Sequence, residues 1–410
     1  MLLLALACAT SDGTDSADPV VDGEVAWYGD VEPIVTQSCA GCHVAGGVGG
    51  FALDTFESAA PMAEAMAAAV ETGRMPPWDA APGCNTYRGD LTLDADAVAR
   101  LRAWADAGAP AGDAADSAPG EPPVEALDRV DVTLSMPEAY TPNGATSDDY
   151  RCFLVDWPVE EATYVTGYRV VPGNAALVHH VIAYIASPLQ VEEYQGLDDA
   201  EAGVGWTCYG GPGLGDQSDA EWMGSWAPGG SSGAFPNGTG IKMKSGSKVV
   251  LQVHYNTAGG DAGSDLTSVE VMTSDDVDAP AYIQPWTDPT WLDGTGMDIP
   301  AGSEGTEHSF TMTNTWSPFQ VHTASMHMHQ LGRTGGLEIE HADGSTDCLV
   351  DVQDWDFNWQ RTYVLAEALT VEEGDKITVR CTWDNPTEED INWGEGTGDE
   401  MCLGTMLWSF

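Results

Sequence analysis

The sequence predicts a mainly β protein: two antiparallel β-sandwiches, jelly-roll-like, preceded by a small all-α domain. Three observations lead there. From about residue 127 onward, short runs rich in β-branched and aromatic residues alternate with turn residues. Residues 24–110 instead carry helical spacing. Between them, residues 111–125 are rich in Pro, Ala and Asp and read as a linker.

The chain opens on Met1-Leu-Leu-Leu-Ala-Leu-Ala-Cys8, a short apolar run ending in small residues and a cysteine. It looks like the end of a bacterial lipoprotein signal with Cys8 as the lipidated residue; plain secretion is the alternative. No basic segment precedes the run. Residues 1–23 are therefore assigned to this segment and an acidic tether. No later stretch is long and apolar enough to span a bilayer. The expected location is exported, periplasmic or cell-surface, with membrane contact only through the lipid anchor.

The all-α domain is placed at 24–112. In its last helix Asp94 can cap, Val98, Leu101 and Ala105 share a face, and Gly108 and Pro110 end it. The linker follows at 113–126. The runs Ala162–Val171, Ser247–Tyr255 and Lys376–Thr382 read as strands. Some 280 residues exceed one ordinary sandwich, so two are expected, at 127–280 and 281–410.

Charge excludes one class of partner. Against 65 acidic residues stand 14 Lys and Arg, a formal net charge of -51. Such a surface repels phosphates, so nucleic acid is not a partner. Solubility in a salty medium explains the charge; calcium on some Asp clusters is the alternative. The nine cysteines (8, 39, 42, 84, 152, 208, 348, 381, 402) divide between a CxxC pair and dispersed positions suited to disulfides in an oxidising compartment.

Cys39-Ala-Gly-Cys42-His43 is a CxxCH motif. Its thiols can add to haem vinyl groups, and the adjacent His can ligate the iron. This makes 24–112 a cytochrome c-like domain with covalent haem c. Met75 is the expected second axial ligand, with Met62 and Met66 as competing thioethers. The alternatives to haem are a zinc pair, for which Cys84 is the nearby fourth thiol or imidazole, and a chance CxxC.

The histidines cluster. His179 and His180 are adjacent, His254 sits in a strand-like run, and His327 and His329 flank Met328. His-x-His on a strand puts both rings on one face, close enough to share an ion. Adjacent histidines on a regular strand face opposite ways. Both reach one metal only at a strand end, at a bulge, or if one ring folds round. Taken singly, strand histidines are more often structural, and His308, His322 and His341 are assigned there.

Six segments carry a wider resemblance: Tyr150-Arg-Cys-Phe153, Leu177-Val-His-His-Val181, Val250-Leu-Gln-Val-His-Tyr255, His327-Met-His-Gln-Leu-Gly332, Val379-Arg-Cys381 and Asp399-Glu-Met-Cys402. In order and spacing, residues 145–410 resemble the copper type II ascorbate-dependent monooxygenases, the family of peptidylglycine α-hydroxylating and dopamine β-monooxygenases. The resemblance implies two copper ions facing a cleft between two sandwich domains. His179, His180 and His254 would form the electron-transfer site. His327, His329 and Met401 would form the catalytic site that binds O2 and substrate, Met401 favouring Cu(I). It also implies a Cys381–Cys402 disulfide. The partner position usual for Cys152 holds no Cys; Cys152–Cys208 is preferred, and Cys84 and Cys348 are left without a pairing.

The sequence departs from the family twice. Where the peptide-amidating enzymes hold an Arg, an Asn and a Tyr for the substrate carboxylate, this chain has Ser325, Leu403 and Thr405. None forms a bidentate pair with a carboxylate. Glycine-extended peptides are therefore not expected substrates, and a small neutral or apolar molecule of unidentified structure is. Secondly, the fused haem is a possible replacement for ascorbate as reductant, and a further electron donor to the haem a possible partner. The leading function is copper-dependent hydroxylation of a C–H bond. A non-catalytic electron-transfer or copper-handling protein and a structural surface lipoprotein are the alternatives.

Overall fold

The structure is a computed structural model that describes residues 23–45, 49–120, 127–214, 221–227, 233–257, 263–357 and 359–410. Cys8 and most of the acidic tether lie outside the described residues. The chain divides into two compact units: Met1–Pro76 with Leu91–Pro122, and Pro77–Asp90 with Pro123–Phe410.

The first unit is helical. Its principal helices are Glu32–Ser38, Ala63–Glu71 and Ala95–Asp106. Asp94 caps the last, its carboxylate accepting from Ala97 N at 2.7 Å, an arrangement worth about 1 kcal/mol. Beyond that helix Gly108 takes φ +80°, which a glycine adopts without steric penalty. Val31, Val35, Leu53, Leu101 and the ring pair Trp27–Trp104, 5.7 Å apart, form the core. Arg102 joins two helices through Glu64 and Glu71. The residues read as linker begin by folding back here: Ser117 Oγ and Ala118 N both donate to the Glu32 carboxylate.

The second unit is built from strands, nearly all antiparallel, around two large cores and a smaller one that gathers Cys152, Tyr184, Tyr194 and Trp206. One large core gathers Val165, Val181, Leu251, Val253 and Val269. The other gathers Val321, Met326, Leu337, Leu349 and Val379. The cut expected at 280/281 falls inside a strand. Ala279–Trp286 pairs with Leu403–Ser409 on one side and with strands of the preceding half on the other, so one sheet of fourteen strands runs through both halves. A four-stranded sheet covers the second half.

Residues 77–90 do not belong with the helical unit, contrary to the expected 24–112 domain. The disulfide Cys84–Cys348 ties them to the second unit. Tyr87 is buried there and donates to Leu349 O at 3.0 Å, and Ala80 forms a β-bridge with Val352. A covalent tether closing a long loop and a buried aromatic outweigh sequence proximity.

Candidate metal centre

Three neighbouring strands set the first donor cluster. Asp148–Asp156, Lys248–Asn256 and Val178–Ala186 pair in that order, so that Tyr150, His254 and His180 stand directly opposite one another. Residues in such register share a face, and the Tyr150 ring stacks on His254 at 4.0 Å. The adjacent-histidine difficulty is resolved by a bulge. Val178 pairs with Tyr255 and His180 with His254, leaving His179 as the extra residue. A bulge re-aims a side chain, and all three imidazoles turn to one point.

Each offers a ligand nitrogen, and these atoms all lie within 4.8 Å of one another. His180 Nδ1 stands 3.3 Å from both His179 Nδ1 and His254 Nδ1. Two bonds of about 2.0 Å at a roughly tetrahedral angle span ~3.3 Å, the spacing one shared ion requires. The tautomer of His254 is fixed by Asp148, whose Oδ1 accepts from Nε2 at 2.8 Å and leaves the Nδ1 lone pair free. Burial, reinforced by the neighbouring imidazoles, pushes His179 down to about 3 and His180 far below its ordinary value. His254 is also lowered by burial, against the opposing pull of Asp148. Neutral imidazoles with converging lone pairs suit a cation.

The second set lies on the other half. His327 ends the strand Phe319–His327 and His329 follows it, with ring centroids 5.1 Å apart. His327 Nδ1 donates to Gln360 Oε1 at 2.6 Å and His329 Nδ1 to Asp399 O at 3.0 Å. Both Nε2 atoms are thereby left as acceptors. Burial lowers both pKa values, that of His329 to about 3. Met401 is buried, and the adjoining Cys402 is bonded to Cys381. Between these ligand candidates, Glu400 is a knot: its carboxylate accepts from His329 N, Leu331 N and Trp383 Nε1.

The two sets meet at one cavity of 310 Å³, lined by His180, His327, His329 and Met401. The His180 and His327 rings are 6.2 Å apart. The segment leading to Met401 is also fastened to the first half. Tyr150 OH donates to Glu395 O, Thr397 Oγ1 to Asp148, and Tyr209 OH to Asp399. Trp222, Trp226, Trp286, Phe310 and Trp316 give the cavity an aromatic wall. Ser325 and Thr405, at the positions that depart from the family, bond to each other within it, beside Leu403. Two charged groups line the cavity that the sequence reading missed. Arg361 is buried with its guanidinium over the Trp78 ring, and Glu395 is raised to about 7 by burial and then by Asp399.

Asp148 and Gln360 were also missed as partners of the histidines. Asp148 lies two residues before Tyr150, inside a strand whose other polar residues gave no signal, while Gln360 lies 33 residues from His327. The histidines assigned structural roles have ordinary partners. His322 bonds Ser409 and Asn237, His308 bonds Asp298 O, and His341 bonds Asp347 and Asp375.

In the helical unit Cys39 and Cys42 are the described cysteines that lie outside the disulfides. The six other described cysteines form Cys84–Cys348, Cys152–Cys208 and Cys381–Cys402, as folding in an oxidising compartment produces. His43 Nδ1 donates to Phe51 O at 3.2 Å, leaving Nε2 as a lone-pair donor. Gly49 lies against the ring and has no room for a Cβ beside it. Met66 is buried in the core against which Met62 and Cys39 pack, whereas Met75 is exposed on the turn after Ala63–Glu71.

Residues 132–262 match the family described as copper type II ascorbate-dependent monooxygenase, N-terminal domain, and residues 294–408 its C-terminal domain. Together the matches span more than half of the chain. The chain is similar to peptidyl-glycine alpha-amidating monooxygenase B of Xenopus laevis, 28% identical over 265 residues, covering 62% of this chain and 27% of that protein. It is also similar to DBH-like monooxygenase protein 1 of Homo sapiens, 24% identical over 288 residues, covering 65% and 45%. The chain thus spans less than half the length of these relatives. Among solved structures, peptide N-glycanase F overlaps 68% of this chain and 95% of its own, at 10% identity and a TM-score of 0.30. That overlap is too slight to inform the fold.

Proposed function

Because the chain belongs to the copper type II ascorbate-dependent monooxygenase family, we propose that it hydroxylates a C–H bond of a small, largely apolar substrate with O2. One oxygen atom enters the C–H bond and the other leaves as water, with two electrons and two protons consumed. The observation that carries this reading is the shared cavity, where His180 from one donor set meets His327, His329 and Met401 from the other. His179, His180 and His254 would hold one copper ion, and His327, His329 and Met401 the other. Copper supplies the O2 and electron chemistry.

The remaining work falls to the protein. Asp148, Gln360 and the Asp399 carbonyl fix which imidazole nitrogen faces the ion. Glu400 and the Cys381–Cys402 bond hold Met401 against the His-x-His turn. The aromatic wall receives the substrate and excludes water. Ser325 and Thr405 satisfy each other rather than a carboxylate, which supports a substrate other than a glycine-extended peptide.

Electrons would come from ascorbate or from a covalent haem, which Cys39 and Cys42 would attach and His43 and Met75 would hold. The CxxCH spacing, with neither thiol in a disulfide, and the oriented His43 ring support that assignment. The three disulfides support export, and Cys8 is the proposed lipid anchor. Stopped-flow mixing of haem-reduced protein with its copper sites filled tests the electron route. Haem oxidation that requires bound copper is expected, and a haem that stays reduced would refute it. Cys39→Ala should remove covalent haem while preserving ascorbate-driven turnover.

A further inference from the structure

We propose that a second cavity, of 640 Å³, is the entrance through which hydrated copper reaches the three-histidine site. The proposal rests on the reading of His179, His180 and His254 as copper ligands. The cluster is approached from two sides. His180 lines the aromatic cavity, whereas His179 lines the second one, whose wall includes Phe357 stacked on the His179 ring at 4.7 Å. The two routes differ in chemistry. The aromatic cavity has a largely apolar wall and carries Arg361 beside Glu395, so its charged groups offer a cation no net attraction. The second cavity carries the carboxylates of Asp354 and Asp356 and the amides of Asn256 and Gln330, and among the described residues neither Lys nor Arg lines it.

Oxygen-rich walls of one sign concentrate a cation at the mouth and keep it solvated on the way in. At the inner end the ion exchanges water for the His179 nitrogen, which lines the cavity and belongs to the three-histidine cluster. The exchange releases water, with no change of oxidation state.

The test follows copper uptake by the full-length apoprotein from a weak chromophoric Cu(II) chelate in a stopped-flow mixer. His179→Ala identifies the phase belonging to the three-histidine site by removing it. The Asp354→Asn/Asp356→Asn variant should slow that phase about fivefold at low ionic strength. The other phase and the final stoichiometry should not change, and the slowing should shrink in high salt. Glu192→Gln/Glu193→Gln removes the same charge from the exposed face of helix Val191–Ala200 and should change the rate less than about twofold. An unchanged rate in the Asp variant, or equal slowing in the Glu control, would overturn the entrance. Identical copper binding by the wild-type protein and by His179→Ala would overturn the three-histidine reading itself.

Discussion

Behind His254 stands a carboxylate, whereas His327 and His329 lean on neutral oxygens, an amide of Gln360 and the carbonyl of Asp399. The first set is all imidazole, while the second includes a buried thioether. Burial raises the Asp148 carboxyl, but hydrogen bonds from His254, Thr397 and Ser147 lower it further, and the net result lies below the ordinary carboxylate range. On the copper reading, a charged partner makes its imidazole a stronger donor and favours Cu(II). Neutral partners and a soft sulfur favour Cu(I). Two sites built on one continuous sheet are thereby given opposite redox leanings by the groups behind their ligands. That suits one to pass electrons and the other to engage O2.

The comparison breaks most sharply at Met401. Met401→Ala should reduce hydroxylation by more than about a hundredfold, since loss of a ligand exceeds the 10–100-fold cost of losing a partner behind one. The haem spectrum should be unchanged, and survival of activity would place the oxygen site elsewhere. Asp148→Ala and Gln360→Ala should each weaken copper by roughly 10–100-fold, the first at the three-histidine site and the second at the other. Copper titration of both variants against His254→Ala and His327→Ala assigns the losses, and a loss at the wrong site contradicts the pairing. Breaking Cys381–Cys402, which closes a loop of 21 residues, should cost about 3 kcal/mol in urea denaturation.

The smallest effect is a pH dependence away from both sites. Hydrogen bonds from Asp347 and then Asp375 raise the His341 pKa. A group raised in the folded state contributes fully below its unfolded value, near 6.5, and that contribution fades as pH rises through the folded value. Melting temperature should therefore fall across that window, and His341→Gln should flatten the fall. An identical slope in the variant would remove His341 from the account.

What the sequence made legible follows physical periodicity. The β-branched and aromatic run Ser247–Tyr255 and the capping Asp94 are local signals, and the structure places a strand and a capped helix there. The adjacent histidines left a bulge, a strand end or a folded ring as options, because a bulge depends on the partner strand and not on the residues that form it. Register with His254 decides it. The Cys84–Cys348 bond and the transfer of residues 77–90 to the β unit were hidden because a sequence separation of 264 leaves no local trace. The strand Ala279–Trp286 was likewise taken for a boundary, since alternation cannot tell how many neighbours a strand has. Partners such as Gln360 and Glu395 look like any surface polar residue until the fold buries them.

The most direct test is to measure copper and covalent haem together in the mature chain, matured with haem, loaded with copper and dialysed. The account predicts two coppers per haem, falling to one in His254→Ala and to one in His327→Ala. One copper or none in wild-type protein shown to be folded would contradict it.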